Sequence, residues 1–320
     1  MADRDRISIV MCTYNGGLYL REQLDSLLRQ TRKADEIVVQ DDCSTDSTLD
    51  ILAEYSRKYP YIKVYANKTR MGYNRNFLSA LARATGELIA LSDQDDVWRK
   101  DKLAVMERSM ADGVSMAFHN SALFTRSPHE TTGVRYTKRP STDAVFITVK
   151  PCIPGHEMMF RRDVLATVAL LGDTNIMYDY SIATICANSG RVVYVDDTLV
   201  YWRRHAQAAT FAERKIENKA AGYVKSLLAL ADGSRRSVAK RYFALMDAVL
   251  PCQNRSDSRR LVAMLASGNL LWRGGILGAS AICLAHLRSI SHSPNARNAL
   301  RAIFLPVNFI RDYGVFIIRE

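Results

Sequence analysis

Residues 7–17 read ISIVMCTYNGG, a short apolar run followed directly by residues that favour turns. An apolar run of this length, bounded by turn residues, is typical of a buried strand. Leu20, Leu24, Leu27 and Leu28 follow at the spacing of one helix face. The alternation continues, with strands predicted at residues 36–40, 62–66 and 88–91 and helices at 47–58 and 77–84. Strands that alternate with amphipathic helices predict β-α-β units and a mainly parallel sheet in an α/β fold.

Acidic side chains follow the predicted strands. Parallel strands end along one edge of a sheet, and in α/β sheets ligands bind beyond that edge. Residues 12–15, 41–44 and 92–96 are predicted to meet there. In the last of these segments, Asp93 stands close to Asp95 and Asp96. Carboxylates so close together repel one another unless a cation or a hydrogen-bond donor compensates them, so we expect these three to have a function.

The chain lacks the usual phosphate-binding motifs. Neither GxGxxG nor GxxxxGK[ST] occurs in the sequence, which argues against a dinucleotide fold and a P-loop. Carboxylates would repel a nucleotide phosphate unless a divalent cation bridged the two. Mg²⁺ and Mn²⁺ bind one or two carboxylates together with phosphate oxygens. The sequence therefore predicts a cation site for a nucleoside diphosphate compound.

Three segments form an ordered set of motifs. Residues 7–15 read ISIVMCTYN, residues 41–46 read DDCSTD and residues 86–98 read GELIALSDQDDVW. Together they resemble the motifs of family 2 glycosyltransferases, and the SDQDDVW form is similar to that of bacterial rhamnosyltransferase-like members. The resemblance covers roughly residues 7–210. It implies a GT-A fold and a nucleotide-sugar donor.

The resemblance assigns roles to the residues at the strand ends. Asp93-Gln94-Asp95 would be the DXD motif, in which Asp95 binds Mg²⁺ or Mn²⁺ and Asp93 binds the ribose or the ion. Asp42 would contact the nucleobase. The implied nucleotide site is completed by Cys12, Thr13 and Asn15. One difference from the family is Cys43, where the family usually has glycine.

Later residues also receive roles from the resemblance. His156 and Glu157 would lie on the acceptor side, although a lone histidine is often only a hydrogen-bonding loop residue. Asp179 would be the catalytic base, with capping of a helix as the alternative interpretation. Arg204 would neutralise the diphosphate and His205 would complete the metal shell. A solvated basic turn is the alternative interpretation of those last two residues.

These roles imply an inverting hexosyltransferase that works by single displacement. The donor would be dTDP-rhamnose or a UDP-sugar, and the acceptor a glycan or a lipid-linked glycan in bacterial surface polysaccharide synthesis, such as that of O-antigen. One alternative is an assembly subunit that binds a nucleotide sugar without catalysis, because residues 178–180 match the family loosely. The other is a nucleotidyltransferase, although residues 15–18 offer no basic side chain to hold a triphosphate.

The net charge of +11 comes from the end of the chain. Residues 1–200 contain 25 Lys and Arg against 26 Asp and Glu, whereas residues 201–320 contain 19 against 7. Helices are predicted at 216–231 and 238–250, with a mostly apolar stretch at 274–287. Basic helices with apolar faces favour an anionic membrane surface. Packing on the catalytic domain and homodimer formation are the alternatives, and nucleic acid is not expected because no nucleic-acid motif accompanies the charge.

Length and composition set the remaining expectations. The 320 residues suffice for two domains, which we predict at 1–210 and 211–320. The six cysteines form no CxxC pair, and the acidic N-terminus does not resemble a signal peptide. We therefore expect a cytoplasmic protein with free thiols, peripheral at most on the inner face of the cell membrane.

Overall fold

The computed structural model describes residues 4–150, 153–171, 177–205, 224–225, 227–229, 231–250, 256–267, 275–290 and 295–313. The chain divides into two compact units. The first consists of residues 1–140, 153–165 and 193–212, and the second of residues 141–152, 166–192 and 213–320. The domain boundary predicted near residue 210, and most of the helix predicted at 216–231, lie outside the described residues.

The first unit contains a β-sheet with helices between its strands. The strands are β1 (Ile7–Thr13), β2 (Glu36–Asp41), β3 (Ile62–Ala66), β4 (Leu88–Ser92), β5 (Val97–Trp98), β6 (Val114–Phe124), β7 (Thr131–Val134), β8 (Met158–Arg161) and β9 (Arg191–Arg203), of which only the first two residues of β9 belong to the second unit. The helices are α1 (Leu20–Leu28), α2 (Thr48–Lys58), α3 (Tyr73–Leu81) and α4 (Lys102–Ser109). A short 3₁₀ helix, Gly155–Glu157, precedes β8.

The strand order among the described residues is β3-β2-β1-β4-β8-β6-β9-β5, with β7 paired to β6. The first four strands in this order pair in parallel, as the β-α-β pattern predicts. β8 then pairs antiparallel to both β4 and β6. Because β1, β2 and β4 run in one direction, the residues that follow them meet at one edge, where the sequence places its acidic motifs.

The core lies between this sheet and its helices. Ile7, Ile9 and Met11 are fully buried and belong to the same apolar cluster as Leu20 and Leu24 of α1. The alternate positions of β1 are buried too, because helices cover both faces of a parallel sheet. Burying a side chain of this size contributes roughly 1.5–3 kcal/mol to the free energy of folding. These contacts therefore hold β1 and α1 in place on either side of the first motif loop.

One buried carboxylate joins three strands. Glu36 accepts hydrogen bonds from Ser8 Oγ at 2.6 Å, from the Thr85 backbone at 2.6 Å and from Lys63 Nζ at 2.6 Å. Burial raises the pKa of Glu36, but the bonds from Lys63, Ser8 and Thr85 outweigh it and lower the pKa to about 2. Glu36 therefore ties β2 to β1, to β3 and to the turn before β4 in its ionised form.

The second unit is helical. Its helices are α5 (Ala144–Val149), the end of α6 (Val164–Ala169), α7 (Tyr178–Ser189), α8 (Gly233–Val249), α9 (Ser256–Ala266), α10 (Gly275–Ala285), α11 (Leu287–Ile290), α12 (Ala296–Ile303) and α13 (Leu305–Tyr313). The helix predicted at 238–250 falls within α8. The rings of Tyr242, Phe243 and Phe309 pack together with centroids about 5 Å apart. Across the described residues, every helix is too short or too polar to cross a bilayer.

The Glu36 network predicts a pH-dependent stability. A group with a lowered pKa stabilises the fold above its unfolded pKa of about 4.3, and this contribution is lost as the pH falls toward 2. Glu36→Gln should destabilise the protein at pH 7 by about 1–3 kcal/mol, the range for hydrogen bonds to a charged group. The difference from wild type should shrink as the pH falls from about 5 to about 2. Denaturant titrations across this pH range measure both effects.

The matched control is Glu54→Gln. Glu54 forms an exposed ion pair with Arg21, and pairs of this kind contribute little to stability. An unchanged pH profile in Glu36→Gln, or an equal loss in Glu54→Gln, would contradict the role of Glu36.

Candidate active site

Hydrogen bonds join the loops that follow β1, β2 and β4. Thr13 Oγ1 donates to Asp41 Oδ1 at 2.7 Å, and the backbone N–H of Asp42 donates to the Thr13 carbonyl at 2.9 Å. The side-chain amide of Gln94 accepts from the Tyr14 N–H at 2.9 Å and donates to the Tyr14 carbonyl at 3.1 Å. The three motif loops therefore form one connected edge, as the sequence predicts.

The residues predicted to hold the nucleotide lie along this edge. Asp42 is almost fully buried, and its carboxylate accepts from the backbone N–H groups of Met71 at 2.7 Å and Gly72 at 2.8 Å. Asn15 Oδ1 accepts from the Thr45 N–H at 2.8 Å. Burial raises the pKa of the Cys12 thiol, and the nearby Asp93 and Asp42 carboxylates raise it further. Asp42 and Asn15 thus hold loops of the edge in place through their side chains.

Cys43 occupies an unusual backbone conformation. Its φ angle is +64°, in the left-handed region that glycine adopts without strain. The Cys43 thiol lies 3.3 Å from the Asn67 carbonyl oxygen. Cys43 thus stands at a turn that favours glycine, the residue usual in the family at this position. The neighbouring carboxylates remain in place.

Asp93, Asp96 and His156 form a compact cluster. One ligand atom from each lies within 4.8 Å of the others. His156 Nδ1 is 3.2 Å from Asp93 Oδ2 and 3.9 Å from Asp96 Oδ2. Among the described residues, Asp96 Oδ2 has no hydrogen-bond partner although Asp96 is fully buried. Burial raises the pKa of Asp96 to about 8, with His156 acting in the opposite direction.

Asp95 and His205 form a second pair beside this cluster. His205 Nε2 lies 2.7 Å from Asp95 Oδ2, and the imidazole packs against the Tyr19 ring. Arg203 Nε donates to the Asp95 carbonyl at 2.8 Å, and its backbone N–H donates to Asp96 Oδ1 at 3.0 Å. The end of β9 is thereby attached to the acidic loop. Burial raises the pKa of Asp95, and the Asp93 charge adds to this effect.

Arg204 follows at the end of the same strand. Its backbone N–H donates to the Phe124 carbonyl at 2.7 Å. Its guanidinium group lies 4.5 Å from the centroid of the Trp202 ring. Trp202 in turn packs against His156, with ring centroids 5.1 Å apart. Arg204 is therefore carried by the segment that borders the acidic loop.

His156 and Glu157 connect the cluster to β6. Ser121 Oγ donates to Glu157 Oε1 at 2.7 Å and lies 3.2 Å from His156 Nε2. Tyr136 donates to Glu157 Oε2 at 2.9 Å. Burial raises the pKa of Glu157, whereas His156 and Arg135 act to lower it. His156, which the sequence assigns to the acceptor side, thus contacts Asp93 of the predicted metal motif.

A buried lysine lies beneath the cluster. Lys102, the first residue of α4, is fully buried and donates from Nζ to the His156 carbonyl at 2.7 Å. Its ammonium group also lies 3.6 Å from the centroid of the Trp98 ring. Burial lowers the pKa of Lys102 to about 7, against the effect of the neighbouring Asp96 and Glu157 charges. The sequence analysis did not identify Lys102, because lysine at the start of a helix usually faces solvent.

Asp179 lies in the second unit, in the first turn of α7. It is half-buried, and its Oδ1 accepts from the Tyr180 N–H at 2.9 Å. The N-cap of α7 is Met177, so Asp179 is not the capping residue of this helix. An acid in the first turn is favoured by the helix dipole, and Asp179 remains a prediction as the base.

The cluster suits a hard divalent cation. Carboxylate oxygens and an imidazole nitrogen are ligands that Mn²⁺ accepts, and Mg²⁺ prefers oxygen. The unpartnered Oδ2 of Asp96 is a buried acceptor for which a cation would compensate. Asp93, Asp96 and His156 could therefore hold such an ion, with Asp95 and His205 beside them. Asp96 stood among the three clustered acids in the sequence, but its burial became apparent only in the fold.

Known proteins share this sequence pattern and this fold. An uncharacterized glycosyltransferase of Nostoc sp. is 28% identical over 210 residues, which cover 62% of this chain and 65% of that protein. The dTDP-rhamnosyl transferase RfbG of Shigella flexneri is 38% identical over 98 residues, which cover 29% of this chain and 34% of that protein. The chain thus spans less than two thirds of the length of either relative.

A solved structure and a family model complete the comparison. The mannosyltransferase PcManGT from Pyrobaculum calidifontis, in complex with GDP-Man and Mn²⁺, matches 99% of this chain and 86% of its own with a TM-score of 0.52 and 18% identity. This likeness shows that the fold is GT-A, as predicted. The family model described as "Glycosyl transferase family 2" matches residues 8–168, half of the sequence. The chain therefore belongs to glycosyltransferase family 2.

Proposed function

We propose that this protein transfers a sugar from a nucleotide-diphosphate donor to a glycan or lipid-linked acceptor, with a divalent cation at the acidic cluster. The observation that carries this proposal is the meeting of Asp93, Asp96 and His156 at the edge formed by the motif loops. Such a cluster of charges is costly in a protein interior unless a ligand compensates it. A divalent cation would supply the compensating positive charge and would also bind the oxygens of the diphosphate.

We propose dTDP-rhamnose as the first donor to test and UDP-sugars as the second. The SDQDDVW form at residues 92–98 supports this choice, as does the similarity to the dTDP-rhamnosyl transferase RfbG. That similarity covers 29% of this chain, and it includes no information on the acceptor. A bacterial surface polysaccharide, such as O-antigen, is the acceptor class that we propose.

In this proposal the residues of the edge bind and orient the donor. Asp93 belongs both to the DXD motif and to the acidic cluster, so it would hold the cation together with Asp95, Asp96 and His156. The positive charge of the ion would stabilise the departing diphosphate. Thr13, Asn15 and Asp42 position the nucleoside, and Arg204 neutralises a phosphate oxygen. His205 lies 2.7 Å from Asp95 Oδ2, so it would complete the metal shell beside that carboxylate.

Asp179 is proposed as the base on the acceptor side, with His156 and Glu157 lining that side. A base accepts the proton of the acceptor hydroxyl as the new glycosidic bond forms. The displaced diphosphate leaves from the opposite face, so the anomeric configuration inverts. Positioned proton transfer of this kind contributes about 10²–10⁴ in rate.

Asp93→Asn and Asp95→Asn test the cation. Each should lower the turnover of the preferred donor at least about 100-fold, because the cation would lose a charged ligand and the diphosphate its stabilisation. The measurement is the initial rate with dTDP-rhamnose, UDP-sugars and GDP-sugars in Mn²⁺ or Mg²⁺, before and after EDTA. Asp112→Asn is the control, since Asp112 is an exposed carboxylate in the turn before β6.

Full activity in EDTA would exclude a metal-dependent reaction. Binding of a nucleotide sugar without any turnover in wild type would instead support the assembly-subunit alternative.

Asp179→Asn tests the base. The variant should bind donor and Mn²⁺ as wild type does, while kcat falls by about 10²–10⁴, because only proton transfer is removed. Donor affinity by calorimetry and kcat by product release separate the two effects. Asp163→Asn replaces an exposed carboxylate and should leave both quantities unchanged. Wild-type kcat in Asp179→Asn would move the base to another residue, with Glu157 the next to test.

A further inference from the structure

Most of the net positive charge of the C-terminal region lies in one segment. Residues 258–311 contain seven arginines and no aspartate or glutamate. A run of this length without acids has no charge of its own with which to neutralise its arginines. Parts of α9 to α13 come from this segment, so its side chains can be located on helix faces.

The outer face of α10 is apolar. Leu277 is 74% exposed and Leu284 is 39% exposed. Ala281 lies between them and is also exposed. Positions 277, 281 and 284 recur at the spacing of one helix face, so these side chains project together. Arg288 is exposed in the next helix, after the break at His286.

The neighbouring helix α12 repeats this combination. Leu300 is 44% exposed and Ile303 is 38% exposed. Arg297 and Arg301 are exposed on the same helix. The two helices are in contact, because Ser280 of α10 donates to the Ile303 carbonyl at 2.7 Å. We give the name Arg–Leu surface to a set of exposed side chains on α10, α11 and α12. The set consists of Leu277, Leu284, Arg288, Arg297, Leu300, Arg301 and Ile303.

Ion pairing distinguishes the arginines of this surface from the other described arginines of the segment. In the part of the chain that the structure describes, none of Arg288, Arg297 and Arg301 forms an ion pair. Arg259 differs, because it donates to the Leu250 carbonyl at 2.6 Å and lies 3.5 Å from Asp247. Arg260 lies 3.6 Å from Asp257. Arg255 lies outside the described residues. Among the described residues of 258–311, the arginines without an ion pair are therefore those of the Arg–Leu surface.

We infer that the Arg–Leu surface docks on an anionic lipid bilayer. Leucine side chains can enter the interface between headgroups and acyl chains, while arginine side chains reach the lipid phosphates. Each basic residue near such a surface adds to the attraction. The inference rests on the proposed function in one respect, because a lipid-linked acceptor would bring the enzyme to this surface.

Charge complementarity favours lipid over a second copy of the chain. A symmetric dimer places the same patch on both sides of its interface. Here that arrangement would bring arginines against arginines, with no acid in residues 258–311 to pair with them. Like charges brought together in an interface weaken binding. A bilayer rich in phosphatidylglycerol supplies the opposite charge.

The test is co-sedimentation of the full chain with vesicles. Wild type should bind vesicles of phosphatidylcholine and phosphatidylglycerol, bind pure phosphatidylcholine weakly, and detach as salt rises from about 0.05 M to about 0.5 M, because screening shortens the attraction. Arg288→Glu, Arg297→Glu and Arg301→Glu combined should weaken binding about 100-fold or more. The same three positions changed to lysine should retain most of it.

Two further variants separate the contributions. Leu277→Ser with Leu284→Ser keeps the charge and should weaken binding several-fold, because less apolar surface enters the bilayer. Arg57→Glu, Arg108→Glu and Arg162→Glu change the net charge by the same amount at exposed positions of the first unit, and should bind like wild type. Donor binding in solution should be unchanged in all these variants, so a failure of the proposed function remains distinguishable.

The inference is overturned if wild type does not bind anionic vesicles at low salt. It is also overturned if the Arg288, Arg297 and Arg301 reversal binds them as wild type does, or if that reversal instead converts a dimer to a monomer in sedimentation velocity. Retention of wild type on double-stranded DNA with greater affinity than on anionic vesicles would overturn it as well.

Discussion

The acidic edge of the sheet depends on one buried contact, the hydrogen bond from the Lys102 ammonium group to the His156 carbonyl at 2.7 Å. Lys102 has no exposed surface, and its positive charge lies near the Asp96 and Glu157 carboxylates. Removing the Lys102 side chain would leave the His156 carbonyl without its hydrogen-bond donor, and an unsatisfied buried acceptor costs about 1–3 kcal/mol. This contact holds the Gly155–Glu157 turn against the start of α4. His156 is thereby placed beside Asp93.

The first half of the fold could be predicted from the sequence, because its signals are local. The run at residues 7–12 and the leucines from Leu20 to Leu28 show strand and helix periods within a few residues of each other. Regular β-α-β connections then leave few topologies for β1 to β4. The acidic motifs therefore had to meet at one edge, and Thr13, Asp41 and Gln94 show that they do.

The contacts between the motifs could not be predicted in this way. Asp96 lies only three positions after Asp93, yet Asp96 is fully buried whereas the Asp93 side chain is 37% exposed. Asp96 is covered by the end of β9, where the Arg203 backbone N–H donates to its carboxylate. The approach of His156 to Asp93 depends on β8 pairing with β4, a contact between segments distant in sequence. Lys102 carries no pattern that distinguishes it from a surface lysine. Each of the two units is made of three separate stretches of the chain, and no local sequence pattern indicates this division.

The central claim is that this edge binds a divalent cation together with a nucleoside diphosphate. An EPR titration of the full chain with Mn²⁺, with and without dTDP, UDP or GDP, tests it most directly, since the signal of free Mn²⁺ reports the fraction bound. If the carboxylates and the diphosphate share the ion, the protein with one of these nucleotides should bind Mn²⁺ at least about tenfold more tightly than that nucleotide alone does. A tenfold change in affinity corresponds to about 1.4 kcal/mol. Mn²⁺ binding in the mixture that equals the sum expected from the protein alone and from each nucleotide alone would contradict the account.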